Sequence, residues 1–198
     1  KGEMLGLDTQ LALIVKEVLF EKKGAVVTTV EASLSIREAI EENGGKSEIT
    51  SVGSLNIAQL LKKYHGVFGG EPCGEYIFPK NHFVPDGIMT GLKFVELFCA
   101  NGSLRSAAEK IKIYPMKRAK YPCKDKKKTM ELVLKKAKGL GGKQNTQDGV
   151  RADFEEGWVL VRASGTEPLI RITCEHKDKN GLGLLFSKAE KIVIESIS

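Results

Sequence analysis

Hydrophobic side chains fill residues 11–20 almost without interruption, Lys16 and Glu17 being the exceptions, and Asp8 stands where an N-cap would open a helix. A helix apolar on nearly every side does not belong on a surface, so it is expected to lie buried against a sheet. The β-rich run at 25–30 then reads as a central strand, and a helix over 33–43 ends at Gly44 and Gly45. A short strand at 48–52 precedes a helix over 54–64 with Ile57, Leu60, Leu61 and Tyr64 on one face. Val67 and Phe68 lead into GGEPCGE, read as an exposed bend over 69–75, which 76–78 leave as a second strand. Asp86 caps a long helix in which Ile88, Met89, Leu92, Val95, Glu96 and Cys99 recur at helical spacing. Asn101 and Gly102 end it, and Ser103 starts another short helix.

Strand and helix alternate up to this point, as in an α/β unit. Pro115, Pro122 and the surrounding lysines then change the composition, which places a domain boundary between residues 111 and 124. Beyond it the pattern predicts a basic helix over 125–138, a glycine-rich turn at 139–142 and extended segments near 150–154. Hairpin arms at 158–162 and 170–175 and a final helix near 184–194 follow. This order fits a smaller α+β layer, one sheet covered by helices.

The composition of the 198 residues, 41% hydrophobic and 28% charged, is that of a chain that folds around a core. No apolar run approaches the roughly 20 residues of a membrane span. The four cysteines include no Cys-x-x-Cys pair and stand apart from the three histidines, His65, His82 and His176. That usage predicts reduced thiols and a cytoplasmic location, with no metal site and no disulfide framework. The net charge of +6 is uneven: residues 110–143 carry thirteen Lys or Arg against two acids. Such a block can attract a polyanion. Its only aromatics are Tyr114 and Tyr121, and none interleaves the lysines of 124–143 as base stacking would require, so it reads as a solvated connection and helix face.

Two stretches carry candidate chemistry. In VRASGTEPLIR, a strand ending in Arg162 enters a turn of Ser164, Gly165 and Thr166, and the returning strand brings Arg171 back towards Arg162. Two guanidinium forks, two hydroxyls and backbone N–H groups made accessible by a glycine turn form a potential anion cradle. The other reading of the same residues is a decorated hairpin whose arginines pair with Glu167 or Glu175. In GGEPCGE, alternation along an extended loop places Glu71, Cys73 and Glu75 on one side. Carboxylates so placed can hydrogen-bond sugar hydroxyls or move a proton in phosphoryl transfer, or they are the solvated acids of an ordinary hairpin.

RASGTEPLIR closely resembles the phosphate-binding loop of the α-D-phosphohexomutase family, and GGEPCGE is similar to that family's sugar-specificity loop, usually GGE-x-SGH. The two stand in the family's order, and the resemblance covers the whole chain. It implies a three-layer α/β/α sugar-recognition domain with a mixed sheet over 1–112, the family's third. It also implies an α+β phosphate-binding domain over 115–198, the small and mobile fourth, whose closure would complete the site. The activity implied is reversible phosphate transfer between C1 and C6 of a hexose, through a bisphosphorylated sugar that also serves as activator. The loop leans towards glucosamine phosphate or a combined glucose and mannose specificity. Arg162, Ser164, Gly165, Thr166 and Arg171 would hold the non-reacting phosphate, and Glu71 and Cys73 would meet sugar hydroxyls. Glu75, where many members have histidine, becomes the candidate general acid or base.

Neither the family's phosphoserine loop nor its magnesium loop occurs in these residues. Mg2+ is therefore implied for the intact enzyme with its ligands outside this chain, and the missing N-terminal domains join hexose phosphate as expected partners. KGEMLGLDTQL resembles the strand and helix that follow the magnesium loop, so Lys1 reads as an internal cut. The chain alone is expected to bind substrate without turning it over. A stand-alone phosphosugar-binding module and a nucleic-acid binder acting through 110–143 are the other readings, and oligomeric state stays open.

Overall fold

The computed structural model describes residues 2–197, which leaves Lys1, and with it the expected internal cut, outside the described residues. The chain forms two compact units, divided between Ile113 and Tyr114.

The first unit runs α1 (Leu7–Glu21), β1 (Ala25–Thr29), α2 (Leu34–Glu42), β2 (Lys46–Thr50), α3 (Ser54–Tyr64), β3 (Phe68–Gly70), β4 (Tyr76–Ile77), α4 (Gly87–Asn101) and α5 (Leu104–Ala108). The sheet order is β2-β1-β3-β4, with β1 parallel to both neighbours and β4 antiparallel to β3. Side-chain alternation sorts the core. Val26 joins Leu11, Ile14, Ile36 and Ile40 on the face covered by α1 and α2, while Val27 joins Ile57, Ala58 and Leu61 of α3 on the other. The result is an α/β/α sandwich with a mixed sheet.

Several expectations need correcting here. Gly6, not Asp8, caps α1, and Asp8 lies in the first turn, where its charge suits the helix N-terminus. Residues 2–6 form no strand. The strand expected at 48–52 starts at Lys46. Gly69 and Gly70 are not part of an exposed bend: both are buried in β3. A Cβ on Gly69 would stand 2.4 Å from Ile57 of α3, and one on Gly70 2.7 Å from Leu11 of α1. The glycine pair lets a helix approach each face of the strand, and only 71–75 turn. In α4 the repeating positions Ile88, Leu92, Val95 and Cys99 are exposed, whereas Lys93 and Leu97 are buried.

The second unit runs β5 (Met116–Pro122), α6 (Lys126–Lys136), a 3-10 turn (Ala137–Leu140), β6 (Lys143–Asn145), β7 (Val150–Asp153), β8 (Gly157–Ala163), β9 (Leu169–His176) and α7 (Lys179–Ile197). All five strands are antiparallel, in the order β5-β9-β8-β7-β6. Val159, Val161, Ile170, Ile172 and Cys174 share the core with Val133 of α6 and Phe186, Ala189 and Val193 of α7. The division between Ile113 and Tyr114 falls within the segment read as a boundary, but most of the rest of that proline-bounded, lysine-rich segment is β5. Its exposed Lys117, Arg118 and Lys120 hid the strand from a hydrophobic pattern, because an edge strand needs few apolar side chains. The short β6 was missed for the same reason.

Candidate functional site

The bend after β3 is held by its own backbone: Glu71 N–H donates to Glu75 O at 3.0 Å and Gly74 N–H to Glu71 O at 3.1 Å. Gly74 takes φ +96°, a conformation that side chains disfavour. The bend gathers the three side chains singled out in the sequence, since the ligating atoms of Glu71, Cys73 and Glu75 lie within 4.8 Å of one another. Their surroundings differ. Cys73 and Glu75 are exposed, but Glu71 is buried and its Oε1 accepts the Gly53 N–H at 3.0 Å. Gly53 itself holds φ +123°, so the loop before α3 is shaped to present that N–H. Partial desolvation of its sulfur in the bend pushes the Cys73 thiol above its usual range, with Glu71 and Glu75 adding to the shift. The Tyr76 hydroxyl beneath is buried and its pKa raised, chiefly by desolvation.

In the second unit the sequence-predicted cradle comes together on the hairpin of β8 and β9. Arg162 and Arg171 are directly paired in the ladder and so project from the same face of the sheet. Gly165 and Thr166 are exposed at the tip, and among the described residues their backbone N–H groups make no hydrogen bond. Gly165 does not take a positive φ, contrary to the expected tight glycine turn. A Cβ there would meet nothing within 4 Å, so the glycine leaves the backbone uncovered instead. Ser164 is buried, and its Oγ accepts Glu167 N–H at 3.2 Å and Arg171 Nη2 at 3.4 Å. Arg171 also pairs with the Glu167 carboxylate, as the decorated-hairpin reading anticipated. Its Nε is buried without a partner. Glu175, the other acid considered, accepts Trp158 Nε1–H at 2.6 Å.

Two contributors escaped the sequence reading. Lys126, the first residue of α6, donates from Nζ to the backbone carbonyls of Ser164 at 2.6 Å and Glu167 at 3.0 Å, tying the tip from below. Gly53 fixes Glu71. Neither contact has a local signal, because each spans a sequence separation that pattern and motif do not encode. The basic stretch 110–143 separates into unrelated roles: Lys117 lies over the Phe186 ring, Lys126 holds the tip and Lys136 pairs with Glu195.

None of the three clusters of possible ligands among the described residues suits a magnesium ion, and in that of Glu156, His176 and Asp178 the imidazole lies 3.0 Å from the Asp178 carboxylate. The cluster at the bend offers a thiol and a carboxylate already bound to a backbone N–H, whereas magnesium prefers oxygen in octahedral array. Glu21 and Glu96 of a second cluster are neutralised by Lys93. A cavity of about 830 Å³ lined by Val18, Leu61, Val67, Phe78 and Phe83 opens at the start of β3, away from the bend at its end. All four cysteines are free thiols, and no helix among the described residues is long and apolar enough to cross a membrane.

Residues 7–114 match the family description "Phosphoglucomutase/phosphomannomutase, alpha/beta/alpha domain III" and residues 119–190 match the C-terminal domain of the same family. A probable phosphoglucosamine mutase of Methanosarcina acetivorans is 38% identical over 199 aligned residues, covering 100% of this chain and 44% of the relative. The chain thus spans less than half the length of that relative. A phosphoglucomutase/phosphomannomutase family protein of Burkholderia thailandensis superposes with a TM-score of 0.86 at 20% identity, covering 98% of this chain and 43% of that one. An Aspergillus fumigatus N-acetylphosphoglucosamine mutase, solved with GlcNAc-6P and magnesium, superposes at 0.69 and 16% identity over 97% of this chain and 43% of its own.

Proposed function

Because the chain belongs to the phosphoglucomutase/phosphomannomutase family, we propose that it is the sugar- and phosphate-recognising part of a phosphohexomutase that interconverts glucosamine 1- and 6-phosphates. The name of the Methanosarcina relative supports the sugar. The observation that carries the reading is the register of β8 and β9, which sets Arg162 beside Arg171 next to uncovered N–H groups. A dianionic phosphate displaces Glu167 from Arg171 and gains charge-assisted hydrogen bonds from both guanidinium groups and from the amides of Gly165 and Thr166. With Ser164 Oγ already accepting two hydrogen bonds, its own hydrogen is left to donate. Ser164 and Lys126 fix the tip, so little reorganisation accompanies binding.

In the first unit, Glu71 is the acceptor that distinguishes sugar epimers. Its carboxylate is aimed by Gly53, and a hydroxyl pointing elsewhere forgoes the hydrogen bond to it. Cys73 and Glu75 stand at the exposed rim, Glu75 as the candidate proton carrier. The transferred phosphoryl group, its serine carrier and the magnesium ion belong to the preceding family domains, so the chain alone binds without turnover. The test joins the chain to the upstream region of the Methanosarcina relative and assays glucosamine phosphate interconversion. Arg162→Ala should raise KM by about ten- to a hundredfold, the loss of one charge-assisted hydrogen bond of roughly 1.5–3 kcal/mol. An unchanged KM refutes the cradle.

A further inference from the structure

The bend that follows β3 holds two kinds of donor. Glu71 and Glu75 offer carboxylate oxygens and Cys73 a sulfur, and these three atoms lie within 4.8 Å of one another. Glu71 is buried and its Oε1 accepts the Gly53 N–H at 3.0 Å, so one ligand is oriented before any ion arrives. Cys73 and Glu75 are exposed and free to change rotamer. Ligand atoms of a tetrahedral zinc site stand roughly 3.3–3.7 Å apart, given bonds of about 2.0–2.3 Å. Rotation of two exposed side chains closes that gap of about 1 Å without moving the backbone.

A second observation lies beneath them. The Tyr76 side chain is 1% exposed, and its hydroxyl has no hydrogen-bond partner among the described residues. Its electrostatic neighbours are Cys73 and Asp8, which sets the hydroxyl at the base of the bend. A buried hydroxyl without a partner costs free energy, and a neutral thiol is a weak acceptor for it. A metal-bound thiolate or hydroxide is a strong one.

We infer that Glu71, Cys73 and Glu75 form a site for a thiophilic divalent cation, zinc in the first instance, with water as the fourth ligand. Coordination exchanges the S–H bond of Cys73 for an S–Zn bond and releases the proton to solvent. The sulfur selects the metal, since thiolate ligands favour zinc over magnesium and calcium, which take oxygen. The two other clusters of such side chains, Glu156 with His176 and Asp178 and Glu17 with Glu21 and Glu96, contain no sulfur. Their carboxylates are also committed: Asp178 Oδ1 accepts the N–H groups of Asn180 and Gly181 at 2.8 and 2.9 Å, and Lys93 holds Glu21 and Glu96. Because the bend is also the sugar's place in the reading above, zinc there occupies the acceptor for sugar hydroxyls and competes with hexose phosphate. That consequence rests on the family reading; the metal site does not.

Cobalt(II) serves as a spectroscopic stand-in for zinc. Added to the 198-residue chain in thiol-free buffer, it should give a sulfur-to-cobalt charge-transfer band and the intense visible bands of a tetrahedral ion, and one equivalent of zinc should bleach both. Cys73→Ser should abolish the charge-transfer band. Glu75→Gln, at an exposed position that does not bear on folding, should weaken binding about tenfold or more. Absence of the band overturns the site. So does a band that survives in Cys73→Ser, which assigns it to the other exposed thiol, Cys99, and so does affinity that Glu75→Gln leaves unchanged, which reduces the site to one sulfur. In the chain joined to the upstream region of the Methanosarcina relative, with magnesium in excess, free zinc at about ten times its dissociation constant should raise KM for glucosamine phosphate about tenfold. Cys73→Ser should lose that rise relative to its own zinc-free KM. Cobalt bound through Cys73 with a KM indifferent to zinc overturns the sugar's placement at the bend and leaves the metal site standing. An active joined protein whose chain shows no cobalt band sinks the metal site and leaves the family reading intact.

Discussion

Glu167 occupies the guanidinium of Arg171 that the proposed function assigns to phosphate, and Glu167→Gln removes its charge at almost constant shape. The pair is partly open to solvent, with the side chains 33% and 45% exposed. Pairs of this kind contribute about 0–1 kcal/mol to stability, so the variant should fold and melt close to wild type. For an entering phosphate, two effects have the same sign. Freeing Arg171 from its competing carboxylate returns up to about 1 kcal/mol. Removing the repulsion between a carboxylate and a dianion some 6 Å apart in a watery setting returns roughly 1 kcal/mol more. Together they predict about five- to thirtyfold tighter binding. Titration calorimetry with inorganic phosphate and with glucosamine 6-phosphate measures it. The gain should shrink at high ionic strength, where exposed charges are screened. Unchanged or weaker binding at low salt would mean that Arg171 is not delivered to the ligand, and the hairpin would be a self-contained ion pair.

Lys126→Met removes two bonds to carbonyls of the tip, worth about 1.5–3 kcal/mol each at most, and should lower Tm and weaken phosphate binding; amide hydrogen exchange over 164–169 should accelerate. Gly53→Ala forces a side chain to φ +123° and should cost about 1–3 kcal/mol in urea unfolding while loosening Glu71. Alkaline stability follows from groups whose protons the native state retains, the buried Tyr76 hydroxyl among them. Burial first, then Glu175, raises the Cys174 thiol from 9.0 to about 12. Burial first, then the hydrogen bond to Glu190, raises Tyr121 from 10.0 to about 12. The stabilisation is complete below about pH 9, and it is lost progressively between about pH 9 and 12 as the unfolded chain sheds protons that the folded chain keeps. Urea midpoints measured across that window in reductant should fall, and Tyr121→Phe should lessen the part of the decline that begins near pH 10, the buried Tyr76 supplying the remainder.

What was legible in the sequence is what local physics controls. The helix over 54–64 is recovered to the residue because its Ile57, Ala58 and Leu61 face is buried and His65 closes it in the left-handed region. The arms around Ser164–Pro168 follow from alternation, and with them the pairing of Arg162 and Arg171. Strand β5 was illegible because its pairing to β9 satisfies the backbone while its side chains stay charged and wet. The outward face of α4 was illegible for the opposite reason. Periodicity reports that an apolar stripe exists, not which way it faces, and within this chain Lys93 and Leu97 take the inner side. The glycines of GGEPCGE show how a motif compresses two different demands. Gly69 and Gly70 admit helices on both faces of β3, whereas Gly74 allows the turn that returns Glu75 beside Glu71. A single string therefore fixes both the depth of the sheet and the placement of the carboxylates. Substituting Gly69 should therefore disturb Glu71 through α3, whose preceding loop supplies the Gly53 N–H, before it disturbs the bend itself.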